Sequence, residues 1–106
     1  MTTDQQDGQE FAGEIAAAIA DLVPDFLDGR RRDVVAISAA AERGDFEAVR
    51  ALGHDMKGSG GGYGFDRITQ FGAALEAAAA HGRVDEIRAQ NAQLQRYLYH
   101  LLIANS

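Results

Sequence analysis

Apolar residues return every three or four positions along nearly all of this 106-residue chain, and that period belongs to helices. Phe11, Ile15, Ile19 and Leu22 form one run. Leu27, Val34, Ile37 and Ala41 form a second, with Phe26 and Ala40 beside them. Phe46, Val49, Leu52, Gly53, Met56, Gly60 and Tyr63 form a third; Ile68, Phe71, Gly72, Leu75 and Ala79 a fourth; Val84, Ile87, Asn91, Leu94, Leu98 and Leu101 a fifth. Alanine is abundant, β-branched residues are sparse, and the only proline is Pro24, so composition supports the same all-α class. The length suits one domain with a single modest core.

The breaks between runs predict the elements. Residues 1–9 are polar and aperiodic and read as a flexible N-terminal tail ahead of a domain spanning 10–106. A first helix starts at Glu10 and ends between Asp21 and Val23. Pro24 then opens a second helix, where its missing N–H is harmless, and that helix runs to Arg43 with Gly29 as a weak point. Arg30, Arg31 and Arg32 read as a solvated face paired with Asp28 and Asp33. Gly44 closes the second helix and Asp45 caps the third. The glycines at 58, 60, 61, 62 and 64 allow a flexible loop or a glycine-lined helix face; the stripe through Met56 and Tyr63 favours helix to about Tyr63. A fourth helix follows from Phe65 or Asp66 to Ala80 and stops at Gly82. The last runs from Val84 to Ala104, about 30 Å. The phrases ERGDFEAVRAL and AHGRVDEIRAQ are alike, each a glycine turn and a helix start, and read as equivalent corners of a bundle.

Several function classes fall away. Cysteine is absent, so no disulfide framework, thiol nucleophile or Cys-based metal site is available, and the chain fits a reducing, cytoplasmic setting. The formal net charge of −6 disfavours nucleic acid. No apolar stretch approaches the roughly 20 residues of a membrane span, and the acidic start is not a signal peptide.

The chemistry concentrates in ALGHDMKGSGGGYGF, residues 51–65. At about 100° per residue, His54 falls about 150° from the centre of the apolar face of its helix, so it should point to water. Gly58, one turn on, shares that outer face. Arg50 and Lys57, at i−4 and i+3, flank the histidine. An exposed imidazole is a good nucleophile near neutral pH. Gly58 leaves room for a phosphate and an incoming protein surface, and Lys57, with Arg50, can balance phosphate charge.

The segment HDMKGSGGGYG resembles the His-x-x-Lys-Gly pattern of histidine-containing phosphotransfer (HPt) domains, with His54, Lys57, Gly58, Ser59 and Gly64 in the matching positions. The resemblance extends from about Phe11 to Ile103. It implies an antiparallel up-down four-helix bundle, here with an additional N-terminal helix, that takes phosphate from an aspartyl-phosphate receiver domain and passes it on. On this resemblance His54 is the phosphoacceptor, reacting through Nε2, and Lys57 stabilises charge. Glu76, 22 positions later on the neighbouring helix, holds a place where the family often has Gln or Glu, and Glu76 or Ser59 would orient the imidazole. The implied partners are response-regulator receivers and a hybrid sensor histidine kinase. The chain itself is expected to be monomeric and to bind no cofactor, with Mg²⁺ supplied by the receiver.

Other motifs fit less well. Lys57-Gly58-Ser59 reverses the P-loop order and lies in a helix. His54, His81 and His100 lack metal-ligand spacing. His81 suits a helix C-terminus and His100 a surface position. A Ser/His/Asp hydrolase lacks strands and a nucleophile elbow. The dimerisation helix of sensor kinases also carries a His before an acidic residue, but its proline is missing, and no ATP-binding region follows, so autophosphorylation from ATP is not expected. Two further readings stay open: an HPt module of the chemotaxis-kinase type, phosphorylated in trans, and a helical adaptor that carries no phosphate.

Overall fold

The computed structural model describes the backbone of residues 2–104 and the side chains of residues 21–103. It holds four α-helices: α1 Thr2–Glu42, α2 Phe46–Gly60, α3 Asp66–Ala80 and α4 Val84–Ala104, with a 3₁₀ turn at Gly61–Tyr63. No strand occurs among the described residues. No helix among them is long and apolar enough to cross a membrane.

Three glycines make the corners. Gly44, Gly64 and Gly82 have φ of 73°, 79° and 64°, the left-handed region that lets a chain leave a helix and reverse. After the first corner, the Asp45 carboxylate accepts from the Ala48 N–H at 3.1 Å and caps α2.

The expected boundary at Pro24 is a difference. α1 runs through Pro24 as one helix, so the first and second helices of the sequence reading are a single element. The helix also carries through 2–9, where a tail was expected. An interior proline removes one i→i−4 hydrogen bond and crowds the carbonyl one turn back, at about 3 kcal/mol. That penalty bends a helix as readily as it ends one, and no left-handed glycine lies nearby to turn the chain away, as at the three real corners. The side chains of Phe11, Ile15 and Ile19 lie outside the described residues.

The glycine run also resolves. The α-helical part of α2 ends at Gly60, and the 3₁₀ turn carries the chain to Tyr63. Tyr63 stacks on Phe26 of α1 with ring centroids 4.1 Å apart, and Phe65 stacks on the same ring at 5.8 Å. These contacts set the end of α2 beside residue 26 of α1.

The core follows the predicted stripes. Leu27, Val34, Ile37 and Ala41 of α1 pack with Val49 and Met56 of α2, Ile68, Phe71 and Leu75 of α3, and Ile87, Leu94 and Leu98 of α4. Among the described residues Asn91 is the one buried polar side chain in this core, and its amide donates to the Val34 carbonyl at 2.9 Å. α1 touches α2 and α4, and α3 also touches both, so the α2/α3 edge and the α1/α4 edge lie on opposite sides.

Candidate phosphoacceptor site

α2 and α3 approach until their backbones meet. A Cβ built on Gly53 would lie 2.8 Å from the Glu76 nitrogen and 2.8 Å from the Gly72 oxygen. One on Gly60 would lie 2.6 Å from Thr69 Oγ1, and one on Gly72 would lie 2.6 Å from the Gly53 oxygen. Only glycine fits such contacts. This close seam lets a side chain rooted on α3 reach across to the outer face of α2.

Glu76 does so. Its Oε2 lies 2.7 Å from His54 Nδ1, and its Oε1 accepts from Lys57 Nζ at 2.8 Å. One carboxylate therefore holds both residues, and those two bonds, Lys57 first and His54 second, keep its pKa below the ordinary glutamate value. An ionised carboxylate can only accept, so the proton of this hydrogen bond belongs to Nδ1. In the neutral ring that leaves the lone pair on Nε2, free for a nucleophilic role. The His54 side chain is 61% exposed, as its place on the helix predicted, and is open to a docking protein.

Gly58 meets the expectation of open space: a Cβ there would find nothing within 4 Å. With exposed Ala51, one turn before His54, it keeps the ground around the ring low.

Arg50 and Ser59 are placed elsewhere. Arg50 pairs with Glu47, one turn back, with Nε 2.9 Å from Oε2. That hydrogen bond raises the arginine pKa and lowers the glutamate's. Ser59 faces α1: its hydroxyl accepts from Arg30 at 2.9 Å and donates to the Met56 carbonyl at 3.3 Å. Of the six residues singled out by sequence, His54, Lys57 and Glu76 form one bonded cluster with Gly58 open beside it.

The sequence placed Arg30 in a solvated basic run paired with Asp28 and Asp33, and the Asp33 pair forms, but its other contacts were not foreseen. Its guanidinium lies 4.9 Å from the Phe26 ring centroid, bonds Ser59, and pairs with Asp33 at 2.8 Å. It thereby ties the last turn of α2 to α1. The only sequence signal was the i,i+3 spacing to Asp33, since the Ser59 contact spans 29 positions. Arg32 does pair with Asp28, at 2.5 Å, as expected.

No three His, Cys, Asp or Glu side chains gather into a metal-binding group among the described residues. What the cluster offers is an exposed, oriented imidazole with an anion behind it and an ammonium one turn along.

A model of the Hpt domain matches residues 21–104. The chain belongs to the Hpt domain family. No curated protein and no solved structure matches it. Hpt domains serve histidine phosphotransfer in two-component signalling, as phosphocarriers that work with response-regulator receivers. The family match begins at residue 21, so the first half of α1 lies outside the Hpt unit.

Proposed function

We propose that this Hpt domain carries a phosphoryl group on His54 Nε2 between the aspartyl phosphates of receiver domains. The observation that carries the reading is the Glu76 carboxylate on His54 Nδ1, which leaves Nε2 as the free lone pair on an exposed face. In the forward step the Nε2–P bond forms as the P–O bond to the receiver aspartate breaks, and the electron pair leaves with that carboxylate. The Nδ1 proton stays in place. The ring gains positive charge as the bond forms, and Glu76 stabilises that charge more in the transition state than before it. Lys57 balances charge on the phosphoryl oxygens, and Mg²⁺ belongs to the receiver. Because the transition state is loose, alignment and charge balance supply most of the rate. Gly58 admits the receiver surface. Arg50 and Ser59 act away from the ring, Arg50 on Glu47 and Ser59 on Arg30. The contacts of α1 with α2 and α4 support an up-down antiparallel order, and the domain works as a monomer without autokinase activity.

A second reading, phosphorylation in trans by a separate ATP-binding kinase domain as in chemotaxis kinases, is favoured by one feature. A carboxylate at Nδ1 makes the imidazole more electron-rich than an amide would, which suits a poor donor such as ATP.

The deciding experiment exposes wild-type protein and His54→Gln to a panel of phosphorylated receivers and then to ATP-loaded kinase domains. Labelling of the wild type alone by receivers establishes the carrier. Labelling by kinase alone selects the second reading. Label that persists in His54→Gln refutes the site, and receiver binding without any label leaves an adaptor.

A further inference from the structure

Two cations bracket the His54 ring along α2, Arg50 one turn before it and Lys57 one turn after it. They are held differently. Lys57 sits on Glu76, the same carboxylate that holds the ring, so Lys57, Glu76 and a neutral imidazole together carry no net charge. Arg50 is held from its far side by Glu47, with Nε 2.9 Å from Oε2 and a terminal nitrogen on Oε1. The Glu47 side chain is 73% exposed and that of Arg50 42%. An ion pair so open to water is weak and readily exchanged. The Glu47 hydrogen bond is the main reason that the Arg50 pKa is raised, and the charge of Glu76 adds to the rise, so the guanidinium already lies within the field of the site.

A phosphoryl group on Nε2 changes the charge balance. It brings about 1.5 to 2 negative charges near neutral pH and three acceptor oxygens. Lys57 is then shared between that group and the Glu76 carboxylate, and one ammonium cannot neutralise both. Arg50 is the other cation within one turn. Its planar fork suits two phosphoryl oxygens at once, and a group of higher charge attracts it more than one exposed carboxylate does.

We propose that phosphate on His54 draws Arg50 from Glu47 onto the phosphoryl oxygens, and that Glu47, by competing for Arg50, sets how strongly the phosphohistidine is stabilised. The inference rests on the assignment of His54 as phosphoacceptor and concerns the state after transfer; before it, Arg50 stays on Glu47, away from the ring. No bond to phosphorus changes. One ion pair replaces another, and the guanidinium moves within a single turn of α2. Glu47 is thus a positioning residue that reaches the phosphate through Arg50.

The test phosphorylates the full chain with phosphoramidate, a small donor that needs no receiver. ³¹P NMR then follows the titration of the phosphoryl group on His54, identified as the signal missing from His54→Gln. A nearby cation favours the dianion and lowers its titration midpoint. Arg50→Ala should therefore raise the midpoint by about half a unit, and Glu47→Gln, which releases Arg50, should lower it by about as much. Glu47 also repels the phosphate directly, so Glu47→Gln is repeated in an Arg50→Ala background, where its effect should fall by at least half. In the wild type, the Arg50 Nε–H resonance should shift on phosphorylation. A midpoint indifferent to Arg50→Ala overturns the exchange. Equal effects of Glu47→Gln in both backgrounds overturn it too, in favour of direct repulsion. Either result, with the His54 signal present, leaves the phosphoacceptor standing, whereas a wild type without that signal removes the phosphoacceptor and the exchange together.

Discussion

Glu76 Oε2 and His54 Nδ1 stand 2.7 Å apart on two different helices, 22 positions apart in sequence. The contact exists because Gly53 and Gly72 let α2 and α3 touch, which sets the root of Glu76 beside the turn that carries His54. Packing and chemistry are thus coupled: the glycines that close the seam determine where the carboxylate reaches.

Removing the carboxylate should therefore slow transfer without unfolding the domain. Glu76→Ala should lower the phosphotransfer rate by about tenfold, the scale of a lost hydrogen bond to a charged group. Glu76→Gln keeps an oxygen for Nδ1–H and should lose less. Rapid-quench transfer from a phosphorylated receiver reads both. If alanine and glutamine variants transfer as fast as wild type, the carboxylate does not set the reactive nitrogen.

The glycines should separate into two kinds. Gly53→Ala places a methyl 2.8 Å from two backbone atoms of α3 and should lower stability by about 1–3 kcal/mol. Gly58→Ala meets nothing within 4 Å and should raise stability by up to about 1 kcal/mol, the usual gain for an exposed helix. Gly58→Glu should fold and yet block receiver docking. Urea unfolding and receiver-binding titrations test the set, and equal unfolding midpoints for the two alanine variants would remove the close seam from the account.

Much of this was legible in the sequence because it rests on local chemistry. The helical period placed the stripes that became the core and turned His54 outward. Gly44 with Asp45 announced a corner through φ and a cap. Lys57 and Gly58 stood out as odd choices for one exposed helix face. What the sequence left open depends on competition between partners. Arg50 had both His54 and Glu47 within a turn, and the charged neighbour took it. Ser59 was beside the motif, but its partner, Arg30, sits 29 positions away. Pro24 permits a boundary or a bend, and only the absence of a turning glycine decides between them. The glycine run looked like one feature and is three: a close seam at Gly60, open ground at Gly58 and a left-handed corner at Gly64.

Acid should dissolve the bridge at Glu76 late. Its folded pKa lies below the ordinary 4.5, first because of Lys57 and then His54. A carboxyl depressed on folding contributes stability that is fully present above its unfolded pKa and is lost as pH falls through the folded value. In a His54→Gln background, which leaves Lys57 as the partner of the carboxylate, Glu76→Gln should be less stable than its parent at neutral pH. The gap should close only below the ordinary glutamate range. Urea midpoints across that range test it, and a gap that is constant into acid would show that Glu76 gains nothing from Lys57.

Asp33 should behave in the opposite sense. Burial pushes its pKa above the ordinary 3.8, and the charge and hydrogen bond of Arg30 only partly oppose that shift. The folded state therefore binds the proton more tightly than the unfolded chain does. Stability falls as pH rises from the unfolded value through the raised one, and it stays lower above it. Asp33→Asn removes this titration and leaves Arg30 with Ser59 and the Phe26 ring. Relative to the asparagine variant, wild type should thus be most stable in acid and lose ground toward neutral pH, by on the order of 1 kcal/mol or less for a partly exposed pair. Paired urea titrations at a series of pH values provide the measurement. Wild type gaining on the variant as pH rises would mean that the Arg30–Asp33 pair outweighs the burial of its carboxylate.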